Sequence, residues 1–273
     1  MPLDDVSHFS MVGFPVATQD ADAMVRSMDP ILKACEFVKI DRENRLCVVR
    51  DKSGSDLRVA LRSVAGTDEF VTANPGFAGE GRTEVEIVAA KPSADTNYAR
   101  YEIQISARFK GEETPLIFDL ADPQQLASFK PGAKIAVDIA AFSFAPEFYA
   151  DKAAYYSAQQ KSDAQAGKPR AVFADNFFIP SGMFLESAGG SATAEGPSAD
   201  ASFAGTVVKA ERRTNTVGGG TFWWALVRTY NDALVDVVLA PETVPNPINP
   251  GSIISGNFWL SARQATSPAS AAR

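Results

Sequence analysis

The chain has 273 residues, of which 45% are hydrophobic and 22% charged. These are the proportions of an ordinary globular protein, so they exclude disorder as the main state, and the length suits two or three modules. The net charge of −7 repels polyanions on average, which disfavours nucleic acid and anionic membranes as partners.

The N-terminus and the cysteines bear on where the protein resides. Met1 to Asp5 contains two acidic residues and no apolar run, so it lacks the pattern of a secretory signal. No segment approaches the roughly 20 apolar residues that cross a bilayer, so no membrane contact is expected. Cys35 and Cys47 are interpreted as buried, reduced thiols. We therefore predict a soluble, cytoplasmic protein.

The first predicted module spans residues 1–78. His8 to Val16 is rich in β-branched and aromatic residues and is predicted to be a strand. Asp20 to Cys35 has apolar residues at helical spacing, with Asp20 as the N-cap and a kink at Pro30. Three further strands are predicted at 36–40, 46–49 and 57–61.

This β-α-β-β-β order resembles half of a vicinal-oxygen-chelate (glyoxalase-like) module, over about a quarter of the chain. Metal enzymes of that family hold their ion with histidines and glutamates from paired units. Here one unit is recognisable and His8 is the single histidine. The resemblance therefore implies a fold without the metal chemistry of the family.

The second predicted module spans residues 79–186 and consists of strands with one helix. Arg100 to Phe109 alternates apolar and polar residues, which is the pattern of a strand buried on one face. A helix is predicted from Pro146 to Lys161, with proline in its first turn. The other strands are predicted at 84–90, 115–120, 134–144 and 172–184.

Residues 187–201 lack large apolar side chains and are interpreted as a flexible linker, and residues 264–273 as a disordered tail. Between them, residues 202–263 suit a small barrel of the oligonucleotide/oligosaccharide-binding (OB) type. Its strands are predicted at 203–210, 221–230, 233–239 and 252–260, with a turn at 218–220.

A weak internal sequence repeat supports this division into modules. An offset of 119 residues superposes Leu120 on Leu239 and Pro131 on Pro250, and it aligns alternating strands, which favours a structural repeat. The predicted fold class is therefore α+β and mostly β, with an N-terminal β-α-β-β-β module followed by two small OB-like β-barrel modules.

The residues that most enzymes need are scarce. His8 alone cannot build a two-histidine zinc or iron site, and it is interpreted as capping the edge of a sheet. Gly218-Gly219-Gly220 lacks the lysine and hydroxyl partners of a P-loop and is interpreted as a hairpin turn. No catalytic residue, metal site or cofactor is predicted.

Acidic residues are the remaining candidates for a metal. Asp119 and Asp122, with Glu112 and Glu113 nearby in sequence, offer carboxylates to a hard cation, but they lack the spacing of a calcium loop. Solvated strand ends are the other interpretation.

One strand of the third module offers a candidate interaction surface. Phe222-Trp223-Trp224 opens a strand that is apolar on both faces. One face would fill the barrel, and the other must pack on another module, a partner chain or a ligand, because exposed tryptophans are costly. Aromatic side chains beside arginines also stack single-stranded bases in such barrels. The candidate surface comprises Lys209, Arg212, Arg213, Phe222, Trp223, Trp224 and Arg228.

Several motifs together are similar to those of a family of uncharacterised bacterial proteins, over nearly the whole chain. Ala262 departs from that family's glycine. The resemblance implies module boundaries and no activity, so no functional residue is carried over. The motifs are Val12 to Val16, Ile179 to Gly182, Arg213 to Asn215, Phe222 to Val227 and Gly256 to Arg263.

Three functions are consistent with these features. The first is a non-catalytic binding or assembly protein whose barrel surfaces hold a protein partner or a second copy. The second is a small-molecule binder or enzyme with a carboxylate-lined cleft between the first two modules, which predicts a deep pocket with perturbed Asp or Glu side chains. The third is a weak binder of single-stranded nucleic acid through the C-terminal module.

Overall fold

A computed structural model describes residues 6–18, 20–166, 172–181, 183 and 197–265. Strands dominate it and helices are few, so the protein is α+β and mostly β, as predicted. No helix in these ranges is long and apolar enough to cross a membrane. The helices are α1 (Ala21–Leu32) and α2 (Lys152–Ala166). The strands are β1 (Glu36–Lys39), β2 (Asn44–Arg50), β3 (Ser55–Val64), β4 (Thr67–Phe77), β5 (Thr83–Pro92), β6 (Ile103–Phe109), β7 (Pro115–Leu120), β8 (Lys134–Phe142), β9 (Glu147–Tyr149), β10 (Phe178–Pro180), β11 (Asp200–Thr214), β12 (Thr221–Arg228), β13 (Leu234–Leu239) and β14 (Ile253–Gln264).

The N-terminal module is a helix followed by an antiparallel sheet of order β1-β2-β3-β4. Asp20 caps α1 as predicted, because its carboxylate accepts a hydrogen bond from the backbone N–H of Ala23 at 2.7 Å. The predicted strand from His8 to Val16 is wrong, since the chain there forms a 3-10 turn at Ser10–Val12. With β4 added, the order is α-β-β-β-β, which differs from the order that carried the glyoxalase-like resemblance.

The two cysteines also depart from expectation. Cys35 and Cys47 are joined by a disulfide, which corrects the prediction of reduced thiols. The pairing of β1 with β2 sets Phe37 opposite Cys47 and brings the cysteine Cα atoms to 5.4 Å, a separation that disulfides span. Disulfides are more usual outside the reducing cytoplasm, so the cytoplasmic location stays a prediction.

The second sheet has ten strands and closes into two rings that share β8 and β14. The first ring is β5-β6-β7-β14-β8, with β7 and β14 parallel. The second is β11-β12-β13-β8-β14, with β13 and β8 parallel. Strands from the predicted second and third modules therefore belong to one hydrogen-bonded sheet. Small OB-type barrels also have five strands, and this finer assignment stays a prediction.

The two halves of this sheet repeat with the offset found in the sequence. Moving β7 by 119 residues gives the bounds of β13, and the start of β8 maps onto the start of β14 in the same way. Ala141 lies opposite Leu260, its own equivalent under that offset, so a pseudo-twofold axis passes through the β8–β14 pair. The predicted structural repeat is therefore confirmed.

Two predicted boundaries around the helical insertion are corrected. Pro146 is not in a helix: β9 follows it and pairs with β14, and α2 begins at Lys152. The aromatic residues of β9 extend the sheet there, which overrides the local helical pattern. Of the strand and turn predicted at 172–184, the residues that the structure describes form only the three-residue strand β10.

The predicted linker is also shorter than expected. Asp200 and Ala201 belong to β11, because they pair with Trp259 and Phe258 of β14. Residues 187–196 of the predicted linker lie outside the described residues. The tail was predicted from residue 264, but Gln264 belongs to β14, and residues 266–273 lie outside the described residues.

The N-terminal module packs on the outer face of the second ring. Trp224 and Phe222 are fully buried there against Phe14 and Phe77. The opposite face of β12, with Trp223, Ala225 and Val227, belongs to the barrel interior. One face of this doubly apolar strand thus fills the barrel, and the other docks a second module.

The glycine-rich turn between β11 and β12 is part of this contact. A Cβ atom on Gly218 would lie 2.3 Å from the carbonyl oxygen of Gly13, so the two backbones approach too closely for a side chain. Beside it, the side-chain amide of Asn215 donates to the carbonyl of Val12 at 2.9 Å. His8 to Val16, which was predicted to be a strand, is therefore held in place by packing and by its contacts with this turn.

A buried ion cluster joins the N-terminal sheet to the barrel. Asp56 of β3 lies 2.6 Å from Nη1 of Arg58 and 2.7 Å from Nη1 of Arg263 of β14. Burial raises the pKa of Asp56, but the charges of Arg263 and Arg58 outweigh burial and hold that pKa below its usual value. A charged aspartate is thus the link between the two guanidinium groups.

We expect Asp56→Asn to lower the free energy of unfolding by about 3 kcal/mol, because it leaves two buried guanidinium groups without their shared anion. Urea unfolding followed by tryptophan fluorescence measures this. Glu36→Gln is the control, since Glu36 pairs with Arg50 at 2.8 Å on the surface with 74% of its side chain exposed. Equal stability of the two variants would contradict the structural role of the cluster.

Candidate functional site

A crevice of about 700 Å³ lies between the N-terminal sheet and the barrel. Its volume falls within the range of small-molecule sites. Its walls come from strands β2 to β4, from the segments around β6, β7 and β14, from the start of β11 with the end of β10, and from His8 with the end of β8. Its lining is mainly apolar, with a few polar groups.

At the crevice, β14 switches its hydrogen-bonded partner strand from β11 to β7. Its residues Ile253–Trp259 pair with β11, and Ser261 and Ala262 pair with β7. This register sets Asp200 opposite Trp259 and Asp119 beside Ser261. Residues that are distant in sequence therefore meet where the two rings join.

Aromatic rings form one wall. The rings of His8 and Trp259 are stacked with their centroids 4.8 Å apart, and Phe144 lies 4.6 Å from His8. Phe142 packs against Trp259 at 4.9 Å. Burial lowers the pKa of His8 to about 4, although Asp200 opposes this shift, so the imidazole is neutral at pH 7. His8 is thus part of an aromatic wall and does not cap a sheet edge.

Carboxylates also line the crevice. Burial raises the pKa of Asp119 to about 6, the Trp259 indole N–H at 2.7 Å opposes the shift, and the charges of Glu102 and Asp200 add to it. Burial likewise raises the pKa of Glu102, which accepts a hydrogen bond from Thr72 at 3.4 Å. Desolvation is thus the largest cause of both raised pKa values, and carboxyl groups perturbed in this way are common at binding and catalytic sites.

The remaining polar lining is held by the protein itself. Arg58 reaches the crevice, but both its terminal nitrogens face Asp56, at 2.6 and 3.4 Å. Tyr101 donates to the side-chain oxygen of Asn44 at 2.8 Å. The Tyr101 bond ties the N-terminal sheet to the segment before β6 at the edge of the crevice.

The predicted interaction surface is divided by the structure. Phe222 and Trp224 are buried under the N-terminal module, and Trp223 is half-buried against the barrel interior. Arg213 stacks on Trp224 with its guanidinium carbon 3.8 Å from the ring centroid.

The other basic residues of that surface are placed as follows. Lys209 pairs with Glu80 and Glu211, both at 2.9 Å. Arg212 donates to Thr221 at 3.1 Å, and Arg228 is exposed. The surface therefore presents Lys209, Arg212 and Arg228 to solvent, with Phe222 and Trp224 buried beneath them.

Sequence reasoning named Asp119 only as a cation candidate and missed Glu102, Asp200 and Trp259. Among the described residues, no group of three or more His, Cys, Asp or Glu side chains is placed to hold a metal ion. The alternation of β6 and β7 puts Glu102 and Asp119 outside the barrel, but no sequence signal shows that these residues face the same space.

Comparison with models of known protein families finds no match, and no curated protein matches the chain either. The resemblance to a family of bacterial proteins therefore stays a prediction.

The single histidine offers a direct check of the aromatic wall. We expect its imidazole resonances to titrate with a midpoint near pH 4, because burial disfavours the charged ring. In Asp200→Asn the midpoint should fall further, since the carboxylate of Asp200 stabilises the imidazolium. Proton NMR of the native and denatured protein measures both values, and a native midpoint near 6.5 would contradict this environment.

Asp119 predicts a second pH effect. Its pKa of about 6 in the folded state exceeds the ordinary 3.8, so its contribution to stability is present below about pH 4 and is lost as pH rises through 6. Asp119→Asn should therefore raise the free energy of unfolding at pH 7 by about 1 to 2 kcal/mol and leave it unchanged at pH 4. Urea unfolding at both pH values measures the difference.

Asp232→Asn serves as the control for that experiment, because the side chain of Asp232 is 92% exposed. If Asp119→Asn raises the free energy of unfolding equally at pH 4 and pH 7, burial of the charged carboxylate is not the cause of the stabilisation.

Proposed function

We propose that the protein binds a small organic molecule in the crevice between its N-terminal sheet and its barrel. The observation that carries this proposal is the coincidence, in one space of about 700 Å³, of an aromatic wall and carboxylates with raised pKa values. A crevice of this size with few convergent polar groups is the usual form of a ligand site.

A cleft between the first two modules was expected for a small-molecule binder, and this crevice is lined by residues of both, together with residues of β11 and β14. Had side chains filled it, this function would have been excluded. With its raised pKa, Asp119 can donate a proton to a ligand near neutral pH. The proposal therefore includes an enzyme that acts on a small molecule in this crevice.

The other two functions stay predictions. Phe222 and Trp224 lie in an internal contact, and Trp223, the third aromatic side chain on which both functions depended, is half-buried against the barrel interior. Assembly through the barrel and binding of single-stranded nucleic acid would have to use the basic rim around Lys209 and Arg212.

A neutral environment-sensitive dye, 6-propionyl-2-dimethylaminonaphthalene, tests the proposal. We expect saturable binding of one dye per chain with a blue-shifted emission, because the crevice shields the dye from water. Ser202→Trp should weaken this binding at least tenfold, because Ser202 lines the crevice and the larger side chain fills it.

Ser106→Trp is the matched control. Ser106 lies on the outer face of β6 and does not line the crevice, so dye binding should match the wild type. Binding that does not saturate, or that is equal in the two variants, would overturn the proposal.

A further inference from the structure

The formal charges of the crevice are unbalanced. Among its lining residues, Glu102, Asp119 and Asp200 are acidic and Arg58 is the single permanent cation. His8 is neutral at pH 7, because burial lowers its pKa to about 4. The charge that faces a ligand is therefore negative on balance.

Arg58 does not offset this charge. Its guanidinium is already paired with Asp56, which it shares with Arg263. Arg263 in turn lies opposite Asp138 in the β8–β14 pair. Arg58 and Arg263 thus share the charge of Asp56, and among the described residues none of the three crevice carboxylates is joined to a cation by a salt bridge.

The carboxylates also act on one another. The negative charges of Glu102 and Asp200 both contribute to raising the pKa of Asp119, after burial itself. A positive group placed among them would relieve this repulsion. The aromatic wall of His8, Trp259 and Phe144 adds a second attraction, since a cation is drawn to the face of an aromatic ring.

We propose that the ligand of the crevice is an organic cation, with an ammonium group among Asp119, Glu102 and Asp200 and an apolar body against Trp259 and its neighbouring rings. This inference rests on the proposed function, since it names the chemical class of ligand for the same site. A bare metal ion does not suit the site, because no three potential ligands in the described part of the chain are clustered for one.

Two isosteric compounds test the charge alone. (4-Hydroxyphenyl)trimethylammonium carries a quaternary nitrogen where neutral 4-tert-butylphenol carries a carbon. Isothermal titration calorimetry at pH 7 on the full chain should show the ammonium compound binding at least tenfold more tightly than the phenol. The anion 4-hydroxybenzenesulfonate should bind more weakly than both.

Asp200→Asn and Glu102→Gln should each reduce the preference for the cation at least threefold and leave the affinity for the neutral compound within twofold. Glu86→Gln is the control, because it removes one negative charge from β5 outside the crevice and should leave the preference unchanged.

The outcomes separate the two proposals. Equal affinity for the ammonium compound and the phenol, with both lost in Ser202→Trp, would overturn the inference about charge and leave the binding site in place. Binding of both compounds that is unaffected by Ser202→Trp would overturn the proposed function itself. A preference for the sulfonate, or no binding by any of the three, would also end the inference about an organic cation.

Discussion

The structure depends on the burial of one aromatic face of β12 under the N-terminal module. Trp224 can be fully buried there because its indole N–H donates to Asp236 at 2.8 Å. Asp236 also accepts from the backbone N–H groups of Glu80 and Gly81, at 3.0 and 2.9 Å. The indole N–H and both carboxylate oxygens of Asp236 are thus paired, so burying the rings does not leave these polar groups unsatisfied. The crevice exists because this contact holds the N-terminal sheet over the barrel.

Buried carboxylates fall into two groups with different roles. Asp56 and Asp236 are surrounded by donors that satisfy both of their oxygens, and each joins the N-terminal module or the loop after it to the barrel. Asp119 has one donor, the indole of Trp259, and Glu102 has one long hydrogen bond. The first group stabilises the fold, and the second is available to a molecule in the crevice. The difference lies in the neighbours, since all four are ordinary acidic residues in sequence.

Patterns in the sequence predicted the sheet more accurately than the segments around it. β7 begins and ends where predicted, and β6 shows the predicted alternation of buried and more exposed residues, because alternation along a strand reports directly which face is buried. His8 to Val16 has the composition of a strand but is buried on several sides by another module, so composition alone could not distinguish it. The disulfide was missed for a related reason, since the approach of Cys35 to Cys47 follows from strand pairing.

The sequence by itself determined the mostly β class, the two repeated halves and the doubly apolar strand at Phe222 to Trp224, because these are properties of local periodicity. Tertiary structure alone decided that this strand docks an internal module, that β8 and β14 serve both rings, and that Asp119, Glu102, Asp200 and Trp259 face one crevice. These facts depend on which strands become neighbours. Which strands pair in a sheet depends on packing between residues far apart in sequence. The local periodicity of the sequence does not show this pairing.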